Sequence, residues 1–496
     1  MSSSLVHTSA IRLLAVGSSL ATNLLALKMC DRHLGVGRWV VIAGALQVLT
    51  LMPQLDGGFR VAINRALLGQ GSAEDRARYL RFGQSFTWWL GLAAMLVGGG
   101  VLFLLGFLPN ARALGMSLLF FITFGVSGAV NLTLNSQANL LVGLGQQWRL
   151  FVVQALTAWV NFAILAVALR SGWNEWAFPA AFAAGVVGIG PLVRIWLRQL
   201  APELPFGPGP RDADFRRTWN ELQSRSLAAL RFQVYTALLY SVDLVIVSQF
   251  CPPDRVSDIY GYIVRAFVIV RIILQAADEA LWPRVARDPA EGRILSLALA
   301  RLNCWLHGAA MAAMALSIGP FLGAFLRSEM TPAPLLAAVL AARGLITGLA
   351  SQPAFYLYGD GRFGTLARSM GRELFIGVLL GIPAARIYGP TGVAAAFLLG
   401  TLGGTAWPLL RDYSIQISRP AGELVIGFWM RAVPAGMVAG LVGWALLPQA
   451  VTPFQHAVCG GLAAAAGLSA GVVFAMIGSK QSAGPIYDWR NLVRRM

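Results

Sequence analysis

Apolar runs of about 20 residues recur along the whole chain, broken by short stretches rich in arginine, glycine and proline. A helix of that length rises about 30 Å, the thickness of a bilayer core. Fourteen such spans are expected, near 8–29, 37–58, 83–108, 113–141, 150–169, 176–196, 226–250, 259–281, 296–326, 334–358, 366–387, 391–410, 424–447 and 454–478. The third, fourth and ninth are longer than a crossing needs, which predicts tilt or kinks there. The first span is too long for a signal-peptide core and has no small-residue cleavage site after it, so it reads as a retained helix.

The pattern repeats within the chain. Cys30-Asp31-Arg32, an apolar helix, Asp56 and Arg65 are matched by Cys251, Asp254-Arg255, an apolar helix, Asp278 and Arg287. Both Asp56 to Asp278 and Arg65 to Arg287 are offset by 222 residues. Gly143–Arg149 follows the fourth span, and Gly359–Gly364 stands at the equivalent place in the second half. A six-helix repeat in the same orientation is one recurring transporter plan. The expected fold is all-α and polytopic, with about fourteen transmembrane helices in two pseudo-symmetric lobes. The lobes are 1–197 and 226–411, joined by a cytoplasmic linker, 198–225. Residues 412–496 add two helices and a basic tail. Within the linker, Arg211–Arg225 reads as a short amphipathic helix; a solvated tether is the alternative.

Composition agrees with a membrane protein. The chain has 496 residues, of which 57% are hydrophobic and only 12% charged. Its mean hydropathy is +0.64. Soluble domains carry about 25% charged residues. The net charge is +17, spaced along the loops, which points to topology and anionic lipid and not to nucleic acid. With an inside N-terminus, 22 Arg and Lys fall in inside loops and 8 at outside ends. That predicts a multi-pass protein of a bacterial inner membrane with both termini cytoplasmic. The outside loops are short, leaving no room for an extracellular catalytic domain. The four cysteines and four histidines form no metal or catalytic set, so neither cofactor, metal nor catalytic residue is expected. Cys30 and Cys251 occupy equivalent repeat positions, where a disulfide is conceivable but small apolar residues are the simpler reading. Gly359–Gly364 matches G-x-G-x-x-G but lacks the strand a dinucleotide site requires, so a tight turn is expected.

Candidate chemistry therefore rests on polar residues at membrane depth. Gln233, Thr236, Tyr240 and Asp243 share one face of a continuous span 7, with Arg231 near its inner end. Arg271, Gln275 and Asp278 share a face of span 8, beside Glu279, with Arg265 on another side. Span 10 adds Arg343, and Arg372-Glu373 lies in span 11. Arginine outnumbers acids at this depth. A water-filled cavity lined by Arg231, Arg265, Arg271 and Arg343, with Gln233 and Asp243, would hold an anion such as a phosphate. Mutual pairing of these charges is the competing reading. Asp56, Asp278 and Glu279 read as gate or coupling residues.

The stretch Leu34-Gly35-Val36-Gly37-Arg38-Trp39, followed by Asp56-Gly57-Gly58, resembles the N-terminal signature of polysaccharide exporters in the multidrug/oligosaccharidyl-lipid/polysaccharide flippase superfamily. Those proteins carry Asp-Leu-Gly where this chain has Asp56-Gly57-Gly58. The glycine turns at Gly143–Arg149 and Gly359–Gly364 are also similar to that family's loops. The resemblance implies a two-lobed bundle, alternating access, and an undecaprenyl-pyrophosphate-linked oligosaccharide flipped for surface polysaccharide synthesis. It also implies polysaccharide polymerase and glycosyltransferases as partners. A cation-coupled multidrug-type exporter is the nearest rival, and would favour carboxylates in its interior. A membrane glycosyltransferase or O-antigen ligase is a distant one.

Overall fold

The computed structural model describes residues 3–34, 42, 46, 58–69, 72–105, 116–202, 213–239, 242–251, 255–279, 281–325, 334–427, 429–446 and 453–479. Among them the secondary structure is helical, with no strand. Among the described residues, seven helical stretches are long and apolar enough to cross a membrane. The chain is a polytopic all-α membrane protein. It divides into two compact units, His7–Gln233 and Val234–Met496, the second also taking Met1–Val6. The segment 35–41, Asp56 and Gly57 lie outside the described residues.

The first unit holds α1 (Ser3–Leu34), α2 (Phe59–Leu68), α3 (Ala73–Leu105), α4 (Leu118–Gly143), α5 (Gln147–Arg170) and α6 (Ala177–Leu200), plus α7 (Ala213–Leu239) as far as Gln233. Its core is aromatic at one end: Phe120, Phe121 and Phe124 of α4 pack with Phe178 of α6. Ser117 caps α4 by accepting from the Phe120 N–H at 3.1 Å. Pro191 is tolerated inside α6.

The linker is not a solvated tether. Its amphipathic segment is the first half of α7, one helix with the start of span 7. Trp219 stacks on Phe59 at 4.2 Å between ring centroids, and Phe215 meets Phe82 at 4.7 Å. The Tyr79 hydroxyl donates to Glu221 Oε1, and Arg78 Nη2 donates to Glu221 Oε2 at 3.1 Å. Gly58, at φ 77°, precedes α2 where its backbone passes against Ser226 and Leu230 of α7. A side chain there would collide with the α7 backbone.

The second unit follows with α8 (Val242–Phe250), α9 (Arg255–Leu274), α10 (Ala276–Glu279), α11 (Trp282–Arg287), α12 (Pro289–Phe325), α13 (Pro334–Gly359) and α14 (Phe363–Gly400). A π-helical turn, Thr401–Ala406, leads into α15 (Trp407–Ile417). Then come α16 (Ala421–Gly427), α17 (Ala432–Leu446) and α18 (Pro453–Ser479). The two expected spans at 366–387 and 391–410 run on without a loop and meet at a kink. Gly389 supplies it, at φ 59° and ψ −148°, with Pro390 next. Helices α17 and α18 pack on α12 through small residues: Gly436 lies against Gly308, and Gly467 against Ala435 and Ala309.

The apolar run over 226–250 predicts one span 7; α7 is described to Leu239 and α8 from Val242, and residues 240 and 241 between them lie outside the described residues. The face expected to join Gln233, Thr236, Tyr240 and Asp243 rests on helical phase carried through those two residues. Tyr240 itself lies outside the described residues. Span 8 turns at Gln275 before the single turn of α10, which re-aims Asp278.

The units share a backbone device. After α4, Gly145 N–H bonds to Val142 O at 2.9 Å and Gln146 N–H to Leu141 O at 2.7 Å. After α13, Gly361 N–H bonds to Tyr358 O at 3.1 Å and Arg362 N–H to Leu357 O at 2.9 Å. Both glycines sit at φ 77°. Each turn is a glycine-closed helix end of the same type, 216 residues apart. In both units the glycine that ends the helix receives a short helix: Gly143 packs on Leu67 and Asn64 of α2, and Gly359 on Trp282 and Val285 of α11.

Gly145→Ala and Gly361→Ala should each lower unfolding stability in detergent by about 1–2 kcal/mol, the cost of a left-handed Cβ. Equal losses at the two sites are expected, since the turns match. The Tyr79 phenol is pushed up to about 12 by burial first and by Glu221 second. Its folded-state value lies above the unfolded one, so its contribution is full below about pH 10 and fades as pH rises towards 12. Hydrogen exchange over residues 213–225 should quicken in Tyr79→Phe and Glu221→Gln at neutral pH; unchanged exchange would show that this contact does not hold the start of α7.

Candidate functional site

Two polar clusters are built into the second unit. The first joins α8, α9, α13 and α14. Arg343 Nη1 donates to Asp243 Oδ2 at 2.8 Å, and the Arg343 guanidinium lies 4.9 Å from the centre of the Phe397 ring. Asp243 Oδ1 accepts from the Leu244 N–H at 2.8 Å. The fully buried Tyr260 stands beside this pair. Glu373, also buried, lies within the field of Arg343 and accepts from Thr401 Oγ1 at 2.7 Å. The π-helical turn brings Thr401 to that position. It also seats Gly400 and Gly404 directly on the backbone at Glu373, where a Cβ would clash.

The second cluster joins α10, α12, α13 and α15. Asp278 is fully buried. Its Oδ2 accepts from Ser351 Oγ at 2.5 Å and from Asn303 Nδ2, while Oδ1 has no hydrogen-bond partner. His307, one turn beyond Asn303, shares a 3.0 Å hydrogen bond between Nδ1 and Asn303 O, and its Nε2 has no partner. Next to Ser351, Gln352 Nε2 donates to Ser296 Oγ and, at 3.0 Å, to Tyr413 Oη. Ser296 and Tyr413 hydroxyls meet at 2.5 Å. A small cavity borders this cluster, lined by Asn303, Cys304, Gln352, Tyr413 and Trp429 among others. Gly348 makes room for the His307 ring, since a Cβ there would overlap it.

The remaining candidates are dispersed. Arg231 is exposed on α7. Gln233 is half-buried there, with Oε1 lacking a partner. Arg271 and Glu279 are half-buried, and each makes a polar contact. The side chain of Arg265 and the whole of Asp56 lie outside the described residues. Arg343 is committed to Asp243, so mutual pairing describes it better than an open anion site. Among the described residues, the buried charged side chains are Glu175, Asp243, Asp278 and Glu373, with no arginine or lysine at that burial. Arginine snorkels towards polar surroundings on a long stem, whereas the short Asp side chain stays where its backbone puts it. Neither Asn303 nor Ser351 stands out in the sequence. Each is one polar residue in an apolar span, and only the packing of three helices shows that they share a carboxylate. The described residues contain no group of three or more His, Cys, Asp or Glu placed to hold a metal ion. All four cysteines are free thiols.

The arrangement of helices has solved counterparts. It is that of the MATE transporters. The chain matches the Vibrio cholerae MATE transporter VcmN in its bent form, with a TM-score of 0.64 and 15% identity over 86% of this chain and 98% of that one. The eukaryotic MATE transporter AtDTX14 matches with a TM-score of 0.62 and 12% identity, over 86% and 98%. A transporter of the MOP superfamily from Pyrococcus furiosus, described as having a binding pocket of reversed polarity, matches at 0.65 and 13%, over 85% and 96%. No family model matches the sequence. No curated protein matches it either. At these identities the likeness establishes the MATE fold.

Breaking the Asp243–Arg343 pair on one side strands a buried charge. Arg343→Ala should cost about 3–5 kcal/mol of stability in detergent melts, and the double variant Asp243→Ala/Arg343→Ala should recover most of it. Additive losses would show that the two side chains are not coupled.

Proposed function

We propose that this chain is a membrane transporter that works by alternating access and expels its substrate in exchange for a cation or proton taken up at Asp278. The predominance of carboxylates among the buried charges of the second unit carries this reading. An ionised carboxylate held only by Asn303 and Ser351, with one oxygen unpartnered, is costly in a low-dielectric interior. Taking up a proton or a monovalent cation removes that cost, so occupancy at Asp278 changes the energy of the α10, α12, α13 and α15 packing. A group that titrates or binds a cation while tied to neighbouring helices is what coupling requires. The fold supports the transporter class, and among the structural neighbours, several of them MATE transporters, one is described as a multidrug resistance MATE family transporter. An acid-lined interior suits a cationic substrate. The Pyrococcus furiosus neighbour, with its reversed pocket polarity, is said to suggest a different function. Polarity must therefore be read from each chain's own residues.

Flipping of a lipid-linked oligosaccharide is the second reading. It is favoured by the similarity of Leu34–Trp39 and Asp56-Gly57-Gly58 to polysaccharide exporters. In either case the protein sits in a bacterial inner membrane with both termini cytoplasmic, as the arginine distribution supports.

In proteoliposomes, cationic dye efflux driven by a proton or sodium gradient should fall at least tenfold in Asp278→Asn, with dye binding retained. Wild-type efflux in that variant would end the coupling role. A deletion strain that loses surface polysaccharide but keeps its drug tolerance would put the flippase reading first.

A further inference from the structure

We infer that Arg149, in contact with both Trp148 and Trp196, is a binding site for the phosphate of an anionic lipid headgroup at the cytoplasmic surface of the first unit. The guanidinium carbon lies 5.4 Å from the Trp148 ring centre and 5.3 Å from that of Trp196. The two indole ring centres are 6.1 Å apart and tilted, so the guanidinium meets both rings from one side of the pair. His7 meets Trp148 edge-on at 5.9 Å. Two of the guanidinium nitrogens, Nε and Nη1, are enclosed and have no hydrogen-bond partner. An arginine so held normally answers to a carboxylate. Here the chain offers none nearby in sequence: α4, α5 and α6 contain no aspartate or glutamate, and between Asp75 and Glu203 the only acid is Glu175, at the other end of α5 and α6.

The surroundings are basic and aromatic. Arg194 and Arg198 flank Trp196 on α6, and both are exposed. Arg12 donates to Gln154 Oε1 at 2.7 Å and lies over the Phe151 ring, one turn along α5. Tryptophan and arginine together at the ends of spanning helices mark the headgroup level of a bilayer. A phosphodiester oxygen would supply the acceptor that this stacked guanidinium lacks, so little ordering is left to be done. The residues belong to α1, α5 and α6 alone, and the site is independent of any coupling role for Asp278.

The test uses the full-length protein in detergent with dioctanoyl-phosphatidylglycerol, dioctanoyl-phosphatidylcholine or inorganic phosphate, read by native mass spectrometry and by melting temperature. Phosphatidylglycerol should be retained preferentially and raise the melting temperature. Arg149→Gln should weaken that retention roughly fivefold, as expected for one lost arginine contact. Arg149→Lys keeps the charge but not the fork, and should give an intermediate loss. Inorganic phosphate that binds as well and competes would assign the site to a free phosphate instead. Equal retention of the two lipids with phosphate inert, or full phosphatidylglycerol retention in both variants, would overturn the site.

Discussion

A carboxylate inside a helical bundle must be satisfied by its neighbours, because lipid and apolar side chains offer nothing to it. In the second unit that requirement organises the packing. Asp278 draws Asn303 and Ser351 from two long helices towards a single turn of α10. Asp243 draws Arg343 across from α13. Glu373 draws in the π-helical turn through Thr401. Each contact costs more to break than to keep, since breaking it strands a charge. The helices that carry these residues are therefore held at fixed rotations, which ordinary apolar contacts do not impose.

The repeat is visible at a level below sequence identity. The glycine-closed turns after α4 and α13 make the same hydrogen bonds. A glycine at the end of each of those helices accepts a short helix against its backbone. Among the described residues, the chemistry within the units is unequal, and Asp56 is not one of them. The charged clusters around Asp243 and Asp278 belong to the second unit, while the first carries the acid-free belt of arginine and tryptophan.

Much of the architecture is legible in the pattern of apolar runs. The all-helical membrane fold, the tight turn at Gly359–Gly364 and the place of the kink near Pro390 follow from run length and from glycine and proline chemistry. Helical phase is what the pattern hides. Spacing puts Arg271, Gln275 and Asp278 on one face of span 8, and the pattern does not show the turn at Gln275 that precedes α10. The sign of the buried charge is hidden for a related reason. Counting Arg343 and Arg271 along the chain ignores how far a long stem carries its charge, and which carboxylate waits across the helix boundary. Asn303, Ser351 and His307 are single polar residues in two long apolar spans, and no spacing rule connects them to Asp278.

The union of linker and span in α7 has a mechanical corollary. A helix of 27 residues is a rod about 40 Å long. Its first half is seated by Trp219 and Phe215, so the azimuth of every later residue up to Leu239 is dictated by that seat. One residue inserted between Trp219 and Arg231 would swing the remainder by about 100° around the rod's axis, whereas a residue added before Ala213 would turn nothing. Length variation in this connector should accordingly be confined to the proline- and glycine-rich stretch ahead of the rod. The rod itself behaves as a gear with a fixed number of teeth.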